Sequence, residues 1–387
     1  MVGAGCAVLA GGTYAGLMSN FRICLSLVLV AAVLSVAAIA LYSKEPISEE
    51  IAQRGPARLW IALAALIFLH GLIALFIERT NPGDVIDCFT FQRDSLVRLK
   101  HGIDPYGGTQ PNIYSPAQTA KFYGPGMVVN GRVQEGFPYL PVTLAWDIPG
   151  YLLGDIRYSY VLALMLSSAI CFAIYSDKRG FCLASFLLLN PIGFFVESRC
   201  WTEPMVFLGL TATLYGAIKK RRWLPIAAGL FLATKQYNFL ALPFLGFLVS
   251  PFRWKSYWKL LGLALAVAMV TVLPFAVWNP RALWHDLVPW LLDQPIRTDS
   301  LSLAVLFPAI LKVGPLFVLA FIAWALRIGS RSKAMFAAGY GTCLLFFFLT
   351  TSKQAFCNYY LLIGETMLLA AAGFYGGLPR GGAGGEQ

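Results

Sequence analysis

Two aspartates, Asp84 and Asp87, open the one long polar stretch of this chain, residues 78–138, which begins NPGDVID, runs through KHGIDPY and closes on FPYLP. A carboxylate in such a place can take a proton from a hydroxyl as a general base, or it can cap a helix N-terminus. Neighbouring aspartates can do one each. Glu203 follows Arg199 and Trp201 where a polar turn meets an apolar run, and an i,i+4 pair with Arg199 is its plain structural account. Lys235, followed by Gln236 and Tyr237, is a cation in the middle of an apolar segment. Such a residue is costly in a bilayer and usually faces a cavity or a counter-charge. Lys353, in SKQAFCNYY, lies at a helix boundary, where snorkelling is an alternative role, and Tyr359 and Tyr360 behind it fit an aromatic belt as well as a site.

One carboxylate site with several cations suits transfer of a sugar from a lipid phosphate. The leaving group is already a phosphate, so no second carboxylate is needed to protonate it, unlike glycoside hydrolysis with its paired acids. An aspartate would accept the acceptor hydroxyl's proton, and Lys or Arg would stabilise the charge developing on the phosphate. A transporter or flippase of a lipid-linked or glycan substrate is the alternative, since it too would use a broken intramembrane hairpin and a buried lysine.

These residues need a membrane scaffold, and the composition supplies one. Of 387 residues, 58% are hydrophobic and only 13% charged, against roughly 25% charged in soluble domains; mean hydropathy is +0.67. The chain reads as an all-α, multi-pass integral membrane protein. Its apolar runs are 20–42, 57–77, 158–175, 181–196, 203–218, 257–277, 303–326, 334–350 and 357–376, giving about nine to eleven transmembrane or partial helices. The net charge of +11 comes from short clusters between these runs, Lys219 to Arg222, Arg253 to Lys259 and Arg327 to Lys333. That is the positive-inside pattern and excludes a nucleic-acid stripe. No secretory signal is evident. The eight cysteines show no metal-ligand spacing; Cys88, Cys200 and Cys357 fall near the outer side, where a disulfide is conceivable.

The basic clusters orient the chain. Residues 224–250 are flanked by cations on both sides yet are too short for two spans, so they read as two short helices meeting at Lys235-Gln236-Tyr237 inside the membrane. The turns at 199–203, 278–300 and 352–360 then lie outside, with the tail 377–387 inside. The polar stretch 78–138 joins them only if 139–154, which carries Asp147 and Pro149, is re-entrant or partial. Within the stretch, 87–101 is an amphipathic interfacial helix with Phe89, Leu96, Leu99 and Ile103 on one face, ended by Gly102 and Pro105.

In this order the motifs resemble the GT-C membrane glycosyltransferases and are most similar to glycosyltransferase family 87, the polyprenyl-phosphate-mannose-dependent mannosyltransferase-like group. The resemblance rests on Asp87 ahead of GIDPY, FPYLP, LNP (Leu189 to Pro191), ATKQY (Ala233 to Tyr237) and SKQAFCNYY, and it spans 57–376. The segment 1–56, with one added transmembrane helix, precedes it. The chain departs from the family where Trp201-Thr202-Glu203 stands for a usual Gly-Gln, Leu140 for a proline and Asn358-Tyr359-Tyr360 for a histidine-bearing motif. The resemblance implies a polyprenyl-phosphate sugar donor, an aspartate base, inversion at the anomeric carbon and no metal or other cofactor. Asp87 matches the base, with Asp84 as the fallback. Tyr106, Arg199, Glu203, Lys235, Gln236, Lys353, Tyr359 and Tyr360 are the expected substrate-binding positions. The expected partners are a lipid-linked donor, with mannose as the candidate sugar, and a glycan or glycolipid acceptor. The expected location is the plasma (inner) membrane, with the active site facing outward.

Overall fold

The computed structural model describes residues 1–17, 21–42, 57–83, 85–249, 251–329 and 332–374; Asp84 lies outside them. Among the described residues, five helices are long and apolar enough to cross a membrane, six if a pair bent by 51° is taken as one span. The longest are 24 and 25 residues, about 36 Å at 1.5 Å per residue, against a hydrocarbon core of about 30 Å. Shorter apolar helices fill the places between them.

The helices alternate between two ends of one bundle. Helices α1 (Val2–Leu17) and α2 (Phe21–Tyr42) form a hairpin, so the segment expected to hold one added helix holds two. Apolar periodicity did not reveal α1 because half of its face is glycine and alanine. Those small residues let its backbone approach a neighbouring helix closely: a Cβ on Gly12 would lie 2.5 Å from the Tyr360 Cβ. Helix α3 (Ala57–Thr80) then rises to the end that carries the polar stretch, called here the loop end.

That stretch is more ordered than its composition announces. Helix α4 (Asp87–Lys100) ends in a Schellman turn, with Gly102 at φ 68° and the Ile103 N–H reaching the Arg98 carbonyl at 2.9 Å. After it come β1 (Gln110–Pro111), α5 (Pro116–Phe122), β2 (Val128–Val129) and β3 (Arg132–Val133), a small antiparallel sheet in the order β1-β3-β2. Asn130 and Gly131, both at positive φ, make the tight turn between β2 and β3, as an Asn-Gly pair favours. The buried face of α4 is Thr90, Phe91, Gln92, Ser95 and Leu96, rotated from the expected Phe89–Leu96–Leu99–Ile103 stripe: Leu96 is buried, Phe89 and Leu99 are half-buried beside it, and Ile103 is exposed. Gln92 explains the rotation. Its amide donates to the Cys200 carbonyl at 2.8 Å and its oxygen accepts from Tyr160, so α4 docks on the bundle through a polar contact.

Helix α6 (Pro141–Leu152) is about 18 Å long and cannot span. Its first turn binds the Thr234 carbonyl through the Thr143 hydroxyl at 2.6 Å. Just beyond it, α7 (Arg157–Tyr175) begins with Arg157 against the Asn81 carbonyl at the end of α3. Both flanks of α6 therefore lie at the loop end, which makes it a partial helix and places 78–138 at the same end as residues 199–203.

Helices α8 (Lys178–Leu189) and α9 (Pro191–Ser198) form the bent pair. The LNP motif bends this passage rather than ending it. Pro191 stops α8, the Asn190 side chain caps α9, and the freed Leu188 carbonyl accepts from His70 Nδ1 at 2.7 Å. Helix α10 (Glu203–Ile218) returns, α11 (Leu224–Leu232) rises again, and a 3-10 helix over Gln236–Leu248 leads back. Lys235, extended at φ −148° and ψ 146°, is the break expected from sequence. Helix α12 (Trp254–Trp278) rises to α13 (Pro280–Leu287) and α14 (Pro289–Asp293), which lie across the loop end. The run expected from 303 is helical in the α sense only from 310, because Pro308 intervenes; α15 (Ile310–Ile328), α16 (Ala334–Thr350) and α17 (Cys357–Phe374) complete the bundle.

Candidate active site

The loop end carries two ionic constellations joined by Tyr139. The first is built on Asp87, in the first turn of α4, where the free backbone N–H groups and the helix dipole favour an anion. Ile86, not Asp87, holds the N-cap position. One Asp87 oxygen accepts from the Cys88 N–H at 2.9 Å and the other from the Tyr123 hydroxyl at 2.7 Å, while the Asp87 N–H donates to the Tyr114 hydroxyl at 3.1 Å. Burial, and then the Asp87 charge, push both tyrosines far above the usual phenol range, so they stay neutral. Asp87 itself is only half-buried.

The second constellation is closed. Glu203 and Lys235 are 1% and 6% exposed and meet at 2.6 Å, thirty-two positions apart in sequence. The remaining acceptor capacity of Glu203 is taken by the Tyr237 hydroxyl at 3.1 Å and the Asn358 amide at 2.7 Å. Three rings, Tyr139, Tyr237 and Tyr359, surround the Lys235 ammonium with centroids 5.3, 5.3 and 5.0 Å away, each a cation–π contact. The pair is desolvated, but Glu203 accepts three hydrogen bonds and Lys235 is held by Glu203 and the three rings, the compensation that a buried ion pair needs. It fills the break between α11 and the 3-10 helix.

Tyr139 connects the two. Its ring covers Lys235 and its hydroxyl contacts the Cys88 sulfur at 3.2 Å, one residue from Asp87. Its backbone is fixed from both sides: Tyr106 donates to the Tyr139 carbonyl at 2.8 Å and Gln236 to the Pro138 carbonyl at 2.7 Å. Tyr106 and Gln236 thus hold the FPYLP segment rather than open space. Asp286 fixes the same segment from α13, accepting the Gly136 and Phe137 N–H groups at 3.1 Å each. A Cβ on Gly136 would fall 2.5 Å from that carboxylate. Burial raises Asp286 to about 6 despite the lowering by His285 and the two N–H groups. Glu135 beside it is fully buried, with both carboxyl oxygens unpartnered in the protein. Burial first, then Asp286 and Asp87, lift it well above the carboxylate range, so it stands as a neutral acid.

A cationic rim lies around Phe122, the chain neighbour of Tyr123. Arg297 lies between the Phe122 and Phe356 rings, 4.2 and 4.4 Å from their centroids, and grips Asp299 through two hydrogen bonds of 2.9 and 2.7 Å. Lys121 reaches the same carboxylate at 3.2 Å. Burial alone would raise Asp299, but Arg297 and Lys121 outweigh it and hold it below its usual value. Lys353 donates to the Leu292 carbonyl at 2.5 Å, and its own carbonyl accepts from the Arg297 N–H.

Of the positions expected to bind substrate, Lys353 thus lies at this rim, while Tyr359 stacks on Phe348 at 4.1 Å against Lys235. Tyr360 is fully buried and donates to the Leu301 carbonyl, which turns it away from Asp87. Arg199 ends α9 with its guanidinium over the Phe195 ring. All eight cysteines are free thiols.

Sequence reasoning passed over Tyr114, Tyr123, Tyr139, Glu135 and Asp286, and one deeper pair. His70, fully buried on α3, contacts Glu197 at 3.1 Å through Nε2. Its Nδ1 must carry a proton, because the Leu188 carbonyl can only accept. The pair therefore shares one further proton along the Nε2–Oε1 line and is neutral overall in either arrangement. A lone histidine in an apolar run was the available signal.

No group of three or more His, Cys, Asp or Glu among the described residues is arranged to hold a metal ion. No family model, curated protein or solved structure matches the chain.

Proposed function

We propose that the chain is a membrane glycosyltransferase that moves a monosaccharide, with mannose as the candidate, from a polyprenyl-phosphate donor to an acceptor hydroxyl at the loop end. The observation that carries this reading is the half-buried Asp87 carboxylate, held by Tyr123 at a helix N-terminus. The acceptor oxygen attacks the anomeric carbon as its proton passes to Asp87. The bond from that carbon to the phosphate oxygen breaks, its electron pair leaves on the polyprenyl phosphate, and the anomeric centre inverts. Lys353, whose ammonium meets only a backbone carbonyl, stabilises the phosphate charge. Lys235 does not have this task, because Glu203 already neutralises it; the pair instead supports the Tyr139 wall. The donor's lipid lies among the apolar helices, and the loop end faces the outer side of the plasma (inner) membrane.

The test is transfer of labelled sugar from polyprenyl-phosphate donor to cell-envelope acceptors by purified protein. Asp87→Asn should lose about 10²- to 10⁴-fold in rate while folding normally, the usual contribution of a general base. Full activity in that variant with a dead Asp84→Asn would move the base to Asp84. The broken passage at Lys235 favours transport as the second reading. In that case label crosses liposomes and no glycosidic bond forms.

A further inference from the structure

At the end of the bundle opposite the loops, the sequence is charged with one sign over a long interval. No Asp or Glu stands between Glu203 and Asp286, while Lys219, Lys220, Arg221, Arg222, Arg253, Lys255 and Lys259 gather at the turns before α11 and α12. The positive-inside tendency explains cations here, but it does not explain the surface they border.

A cleft of about 400 Å³ runs between α11 and α12. Its floor is Pro225, Ile226, Leu263, Val267 and Val270, and Arg222 stands at its lower end. From Leu263 to Thr271 the cleft follows α12 for about 12 Å along the axis. Lys259 and Lys255 lie one and two turns before Leu263 at i,i+4 spacing, on the face of α12 that lines the cleft. Arg222, Lys255 and Lys259 are all exposed, so an apolar slot is capped at one end by three cations from two elements. Trp254 and Trp258, 65% and 60% exposed at the same level, mark the water–lipid boundary. The slot thus begins at headgroup depth and runs inward to acyl-chain depth.

We infer that this cleft binds one anionic glycerophospholipid, with an acyl chain between α11 and α12 and the phosphate headgroup against Arg222, Lys255 and Lys259. The two halves of the site match the two halves of such a molecule, and the absence of a carboxylate on these elements leaves the cations to the ligand. The inference does not depend on the reaction proposed for the loop end.

Native mass spectrometry of the purified full chain, exchanged separately with phosphatidylglycerol, phosphatidylcholine and polyprenyl phosphate, tests it. Each cation near an anionic group is worth about fivefold in affinity. The Arg222→Gln/Lys255→Gln/Lys259→Gln variant should therefore lose on the order of a hundredfold in phosphatidylglycerol retention and keep its unfolding temperature. Ala266→Trp, which fills the exposed slot and leaves every cation in place, should also lose retention. Retention undiminished in Ala266→Trp would overturn the site in favour of diffuse surface attraction. Equal retention of phosphatidylcholine would remove the role of the cations. Displacement by an equimolar amount of polyprenyl phosphate would give the cleft to a different lipid.

Discussion

Asp87 and the Glu203–Lys235 pair stand at the same end of the molecule, one tyrosine apart, and their fates differ. Glu203 and Lys235 have exhausted each other. Every strong interaction available to them is made inside the protein, and neither can approach a substrate without leaving a buried charge unpaired. Asp87 is half-buried, takes one tyrosine hydroxyl and one backbone N–H, and retains acceptor capacity. In a membrane chain, then, an intramembrane charge marks a site only while its partner is missing. Once the partner is found, the charge is part of the wall.

That contrast can be broken at several points. Lys235→Met alone should cost about 3–5 kcal/mol in unfolding free energy in detergent, because it strands the Glu203 carboxylate in a dry site. The double variant Lys235→Met/Glu203→Leu should be less destabilised than either single change; strictly additive losses would mean that the two charges do not depend on each other. Asp286 tests the support of the Tyr139 wall. Its value is raised to about 6 from 3.8, so the folded state holds the proton more tightly than the unfolded chain. Its stabilising contribution is complete below pH 4 and is lost as pH rises through 6, by about 3 kcal/mol at 1.36 kcal/mol per unit. In thermal unfolding across this window Asp286→Asn, which still offers an oxygen to Gly136 and Phe137, should show a flatter profile than the wild type.

Smaller effects are expected at the rim. Lys353→Ala should lower kcat/KM for sugar transfer about tenfold, the value of one hydrogen bond to a charged group, without changing stability. An unchanged kcat/KM would place the leaving phosphate elsewhere. Tyr123→Phe should reduce the rate by roughly three- to tenfold through loss of one hydrogen bond to the carboxylate. A loss as large as that of Asp87→Asn would make Tyr123 a participant in the proton transfer rather than a prop.

The sequence showed those features that depend on nearby residues. A cation inside a short apolar segment gave the break at Lys235, an amphipathic run gave α4 with its Gly102 stop, and Asp147 with Pro149 marked α6 as incomplete. Contacts between distant positions were hidden. Glu203 with Lys235, His70 with Glu197 and Leu188, and Asp286 with Gly136 and Phe137 each join elements whose meeting is fixed by packing, which one chain's periodicity does not encode. Helix α1 was hidden for another reason, since its glycines weaken the helical pattern while making its close approach to α17 workable. The Asn-Gly turn of the small sheet was legible in principle. It was masked by strands of only two residues each.

The central distinction is tested most directly by sugar transfer per folded molecule, measured side by side for Asp87→Asn and Lys235→Met. The account predicts that Asp87→Asn unfolds like the wild type and has lost at least about a hundredfold in turnover, while Lys235→Met unfolds early and its surviving folded fraction turns over within about tenfold of the wild-type rate. Normal turnover by Asp87→Asn, together with a stable but inactive Lys235→Met, would contradict it and exchange the roles of the two constellations.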